Sequence, residues 1–114
     1  MGSCLFCDIA GGHIPCNEVY GDDDFLAFSD IDPKAPSHML VIPRRHVASL
    51  ADLTETDVDL VGRLVLTATR VAAAAGLAEA GYRFVINCGE EGGQTVHHLH
   101  LHILGGRPMR WPPG

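Results

Sequence analysis

Four of the seven histidines in this 114-residue chain fall within six positions of the stretch QTVHHLHLHILGG, residues 94–106. Three of them, His98, His100 and His102, are separated by single leucines. Successive side chains of a strand point to opposite faces, so an extended segment over 98–104 places these three imidazoles on one face and Leu99, Leu101 and Ile103 on the other. Alternate strand residues lie about 6.5–7 Å apart. Neighbouring rings can then interact without all three sharing one metal, and the spacing suits a proton relay or one nucleophile flanked by helpers. The ordinary imidazole pKa near 6.5 leaves a neutral, nucleophilic fraction at neutral pH, and a phosphorus centre is a suitable electrophile. A merely solvated strand face would be served equally well by Thr, Lys or Glu. Three matched imidazoles therefore favour chemistry, with His97 on the opposite face and outside the set.

The flanking residues fit a phosphoryl substrate. GEEGGQTV at 89–96 supplies paired glycines, an amide and the Thr95 hydroxyl just before the strand, and LGG follows it. Glycine lets main-chain N–H groups approach an anion, and a hydroxyl can donate to a phosphoryl oxygen or a leaving group. Hairpin turns also require glycines, so the histidines carry the argument. A second constellation is CLFC at 4–7, the Cys-x-x-Cys spacing with which two thiolates hold one tetrahedral zinc. His46 in PRRH and a histidine of the final strand are the available completing ligands. The alternative is a pair of small buried thiols in an N-terminal helix. Cys16 and Cys88 lack such spacing and are expected to be buried thiols, and His13 in GGHIP to be a solvated turn residue.

These groups must be positioned by one domain over 1–114, with 105–114 as a tail. The chain is 46% hydrophobic, long enough for one core and short for two. Its net charge of −6 offers no basic field for a nucleic acid, although backbone amides could still hold a single nucleotide. No 18-residue apolar run or signal-peptide pattern is present, and a cytoplasmic protein without a membrane span is expected. Residues 18–20 and FLAFSD, joined by GDDD, read as a hairpin, and SHMLVIP at 37–43 as a third strand ended by Pro43. Apolar residues at Val58, Val61, Leu64, Val65, Ala68, Val71 and Ala72 predict one long helix over 54–75. Thr54 and Asp57 approximate its capping box, and Gly76 its left-handed stop. GYRFVINCG at 81–89 and HLHLHIL at 98–104 complete the strands. The class is α+β with mostly antiparallel neighbours, because the early connections are too short for crossovers.

HLHLHIL fits the His-x-His-x-His-x-x signature of the histidine triad nucleotide-binding family. DIDPKAPSHMLVIPRRH, GYRFVINCGEEGGQTV and LGGRPMRWPPG resemble its Hint branch over nearly the whole chain. The resemblance implies a five-stranded, mostly antiparallel sheet with one long and one short N-terminal helix, extended across a homodimer. It implies hydrolysis of purine nucleoside 5'-phosphoramidates, the P–N bond of an AMP- or GMP-amine, through a nucleotidyl-histidine intermediate. His100 corresponds to the nucleophile, His98 to the residue near the leaving group, and His102 to the supporting network. His38 matches a fourth histidine contacting the nucleophile's other ring nitrogen, and Thr95 stands where the branch commonly has Ser. Asn87, Gly93 and Gly105 would hold the phosphate and leaving group, and Asp30 the ribose hydroxyls. Leu5, Phe6, Ile9, Ile14, Phe28, Ile31 and Leu40 would line the base pocket, although core packing serves any one of them equally well.

Some members of the superfamily complete a Cys-x-x-Cys zinc site with the first strand histidine, which makes Cys4, Cys7, His46 and His98 the ligand set. A metal-bound His98 is not also a free proton donor, so its two roles conflict. Members without the cysteines manage without metal, so zinc is expected to be structural. Each tail would reach its partner's site, with Trp111 contributing to leaving-group selection, or would pack on its own subunit. The other activities the superfamily implies are dinucleoside polyphosphate hydrolysis and nucleotidylyl transfer. A nucleotide-binding interaction protein with incidental catalysis is the reading of a different class.

Overall fold

The computed structural model describes residues 4–114. A short helix, α1 (Leu5–Ala10), precedes strands β1 (Glu18–Gly21), β2 (Phe25–Ser29) and β3 (Ser37–Pro43). The long helix α2 (Val58–Ala74) then leads to β4 (Tyr82–Val85) and β5 (Leu101–Gly105). The strands form one five-stranded sheet in the order β1-β2-β3-β5-β4, in which all four neighbouring pairs are antiparallel. The α+β class, the antiparallel sheet and the two helices agree with the sequence reading.

Local chemistry explains the element ends. In the β1–β2 turn the Asp22 carboxylate accepts from the backbone N–H groups of Asp24 (2.8 Å) and Phe25 (2.7 Å), the hydrogen-bonded Asx geometry that favours Asp there. The predicted long helix begins with a separate 3-10 turn, Glu55–Asp57, and the Thr54 N–H donates to Asp57 at 2.9 Å. At the other end, Gly76 has φ +82°, Leu77 N–H reaches the Ala72 carbonyl, and Gly76 N–H that of Ala73. These two bonds form a Schellman cap, which needs the left-handed residue that glycine supplies without strain.

The two sheet faces have different tasks. Leu64, Ala68, Val71 and Ala72 of α2 pack with Phe25, Ala27, Met39, Val41, Leu99, Leu101 and Ile103 in the main core. The alternate residues Leu26, Phe28, Leu40 and Ile42 pack with Phe6 of α1 on the opposite face. Since Leu40 lies opposite His102 and His38 opposite Leu104 in the β3–β5 register, the histidines share the α1 face. A six-residue helix is too short to hold alone. Here α1 is fixed by Phe6, by the Cys7 N–H donating to the Cys4 sulfur at 3.3 Å, and by Arg44 donating to the Ala10 carbonyl at 2.9 Å.

The last strand is shorter than the expected 98–104 segment, and the reason lies in its partner. β3 ends at Pro43, and its final registered pair with β5 is Val41 with Leu101. Residues 98–100 instead run beside the loop after β3, where Leu99 N–H donates to the Val47 carbonyl at 2.6 Å. The expected fourth strand over 81–89 is likewise reduced to β4, leaving Ile86 onward as the approach to the glycine-rich turn. Two cysteine expectations also need correction: Cys16 is exposed and Cys88 only half-buried. Neither belongs to the buried core clusters. No helix is long and apolar enough to cross a membrane among the described residues.

Candidate active site

His100 is buried, and its Nδ1–H donates to the His98 backbone carbonyl at 2.7 Å. A neutral imidazole carries one N–H, so this bond leaves the Nε2 lone pair free. Phe6 stands edge-on to the ring, with centroids 5.0 Å apart. Burial lowers the His100 pKa, against the opposing pull of its hydrogen bond and of Asp30. The ring is thereby kept neutral and its Nε2 basic nitrogen available.

The second imidazole pair fixes another tautomer. Lys34 N–H donates to His38 Nδ1 at 3.0 Å, so His38 carries its proton on Nε2 and donates it to His102 Nδ1 at 2.9 Å. His102 must then carry its own proton on Nε2, which makes it a donor on its other edge. Burial and the neighbouring His100 and His38 push His102 down to about 4. Burial also lowers His38, although Asp30, 3.4 Å away, pulls it upward. His38 therefore contacts His102 and not His100, the ring it was expected to meet; the His98 carbonyl occupies His100 Nδ1 instead. Asp30 turns Oδ2 toward His38, and its other oxygen accepts from Asp32 N–H at 2.8 Å.

His100, His102 and Asp30, but not His38, open onto a cavity of about 300 Å³. Its wall brings together Leu5, Phe6, Ile9, Ile14, Phe28, Ile31 and Leu40 with Asp30, Thr95, His100 and His102. Ile31 is 96% exposed, an apolar side chain held on the rim where no core packing accounts for it. The sequence reading missed Pro15 and Val96, which also line the cavity. Pro15 follows Ile14 in the chain, but nothing in its own type marks it. Asn87 and Gly93 lie outside this wall, and Gly105 closes β5. Asn87 donates to the Gly92 carbonyl at 2.7 Å, and Gly93 adopts φ +83°, so both shape the turn before Thr95.

His98 faces elsewhere. It is fully buried, and its Nε2–H donates to the Pro43 carbonyl at 2.8 Å. Its Nδ1 lies 3.3 Å from the Cys4 sulfur, 3.5 Å from the Cys7 sulfur and 3.2 Å from His46 Nδ1. Cys7 and His46 are themselves 3.3 Å apart. A tetrahedron with zinc–sulfur and zinc–nitrogen bonds of ordinary length has edges of about 3.3–3.8 Å. The four groups therefore fit one tetrahedral ion, and the Pro43 bond fixes the His98 tautomer that presents Nδ1 as a ligand. With both nitrogens engaged, His98 has no free proton for a leaving group. Burial and Cys4 push the Cys7 thiol up to about 11, so a metal must displace its proton. Asp30, His38 and His102 also converge, but a hydrogen bond already joins the two imidazoles and the Asp30 carboxylate lies 3.4 Å from His38 Nε2.

Residues 11–109 match the model of the HIT domain, and the chain belongs to that family. It is 52% identical over 110 residues to an uncharacterised HIT-like protein of Synechococcus elongatus, covering 96% of each chain. A HIT family hydrolase from Legionella pneumophila superposes with a TM-score of 0.97 at 50% identity, over 98% of this chain and 100% of that one. A histidine triad nucleotide-binding protein from Candida albicans gives a TM-score of 0.82 at 29% identity, over 96% and 83% of the two chains.

Proposed function

We propose that the protein hydrolyses purine nucleoside 5'-phosphoramidates, with His100 as nucleophile. The observation that carries this reading is the His100 ring, locked through Nδ1 and bordering an apolar cavity that also contains Asp30. The apolar wall and the exposed Ile31 suit a purine, and the Asp30 carboxylate suits ribose hydroxyls. His100 Nε2 attacks phosphorus, the P–N bond breaks, and the amine departs with a proton passed through the Thr95 hydroxyl from solvent. The His102 Nε2–H stabilises the phosphoryl oxygens, and the turn shaped by Asn87 and Gly93 positions Thr95 beside them. Water then attacks phosphorus, releasing the nucleoside monophosphate and restoring neutral His100. The names of the hydrolase and the nucleotide-binding protein to which the chain is similar are consistent with this chemistry.

Cys4, Cys7, His46 and His98 would hold zinc, in keeping with their tetrahedral edges. Bound there, zinc supplies a structural clip between α1 and the triad segment. The free cysteines fit a reducing, cytoplasmic compartment. A homodimer is supported by β4 at the sheet edge and by the outer face of α2, where Val58 is 71%, Val65 40% and Leu66 54% exposed. Trp111, 81% exposed, would then project toward the partner's site. The test is a panel of AMP-amine, GMP-amine and dinucleoside polyphosphate substrates. Preferential release of the amine supports the reading, whereas turnover of the dinucleoside polyphosphate alone contradicts it.

A further inference from the structure

Leu5, Thr95 and Val96 wall two cavities, not one. Beyond the His100 pocket lies a second, of about 520 Å³, completed by Cys4, His46, Ala48 and His97. We propose that this cavity is the subsite for the amine's substituent, and that it takes an uncharged apolar group carrying a carbonyl. The proposal rests on the phosphoramidase reading above. It concerns which amine that site accepts.

Position and chemistry both support the assignment. Displacement at phosphorus runs roughly in line, so a group expelled by His100 leaves on the far side of the phosphoryl centre. Thr95 stands at the boundary of the two cavities, where it can meet the departing nitrogen while the remainder of the amine lies beyond it. The cavity offers apolar surface at Leu5, Ala48 and Val96, with Cys4 and His46 beside them, and contains no carboxylate. A cationic substituent would lose water there without gaining an acidic partner. His97, set aside by strand alternation, is exposed and makes no side-chain hydrogen bond among the described residues. Its imidazole can donate to a carbonyl on the amine.

The experiment compares kcat/KM for AMP joined through nitrogen to leucine amide, to lysine amide and to an unsubstituted NH2. The wild-type protein is expected to favour leucine amide over both others. Ala48→Phe, which fills the cavity, should lower the ratio of leucine amide to unsubstituted substrate about tenfold. His97→Ala should lower it about fivefold, the size of one lost hydrogen bond. His97 is at the surface, so its variant keeps the test valid if Ala48→Phe fails to fold, as judged by circular dichroism. An unchanged ratio in His97→Ala, or one altered only by Trp111→Ala, would overturn the subsite. Wild-type protein that cleaves none of the three removes the phosphoramidase reading, and the subsite with it.

Discussion

His102 and His38 are held neutral by burial, and that has a measurable sign. His102 is pushed down to about 4 and His38 is lowered as well, whereas an unfolded imidazole titrates near ~6.5. Between those values the unfolded chain binds more protons than the folded one, so stability rises with pH and is lost on acidification from ~6.5 toward ~4. Urea midpoints should be lower at pH 5 than at pH 7; equal midpoints would contradict the neutral pair. Much of this site was legible at the residue scale, because strand alternation alone separates His97 from the other three imidazoles. The tautomers were not. They depend on the Lys34 N–H and on the carbonyls of Pro43 and His98, groups common to every sequence that become informative only when folding brings them to particular rings. For the same reason His38 was assigned to His100 and found on His102.

The elements most exposed to test are α1 and the cap of α2. α1 contributes Phe6 and Ile9 to the cavity beside His100, while Cys4 and Cys7 bring it against His46 and His98. Cys7→Ser should abolish stoichiometric zinc in the purified protein, lower its melting temperature and raise KM for AMP-amine. A wild-type protein free of metal contradicts the clip. Gly76→Ala should cost about 1 kcal/mol in urea denaturation, because alanine is strained at φ +82°. A neutral effect would contradict the left-handed cap. Thr54, Asp57 and Gly76 made the limits of α2 legible, as Pro43 did for β3. The start of β5 was not legible, because apolar alternation continues through Leu99 after the partner strand has ended at Pro43.

At the scale of the whole molecule, β4 leaves one sheet edge open and α2 keeps an apolar outer stripe. Sedimentation should give the mass of two chains, and Val65→Asp should shift it toward one; a monomeric wild type would contradict the dimer. The tail tests the limit of sequence reasoning, since Trp111 must dock somewhere but its type does not name the surface. In the single chain the Arg83 guanidinium lies 5.9 Å from the Trp111 ring centroid and donates to the Arg110 carbonyl at 2.9 Å, while the ring remains mostly exposed. The central claim is that this molecule transfers a nucleotidyl group to His100. Intact-mass and peptide analysis of protein rapidly quenched during AMP-amine turnover tests it most directly. The account predicts an adenylyl adduct on His100, absent from a His100→Ala variant that retains AMP binding and loses turnover by about 10³-fold or more. Undiminished turnover in His100→Ala, or an adduct on another residue, would contradict it.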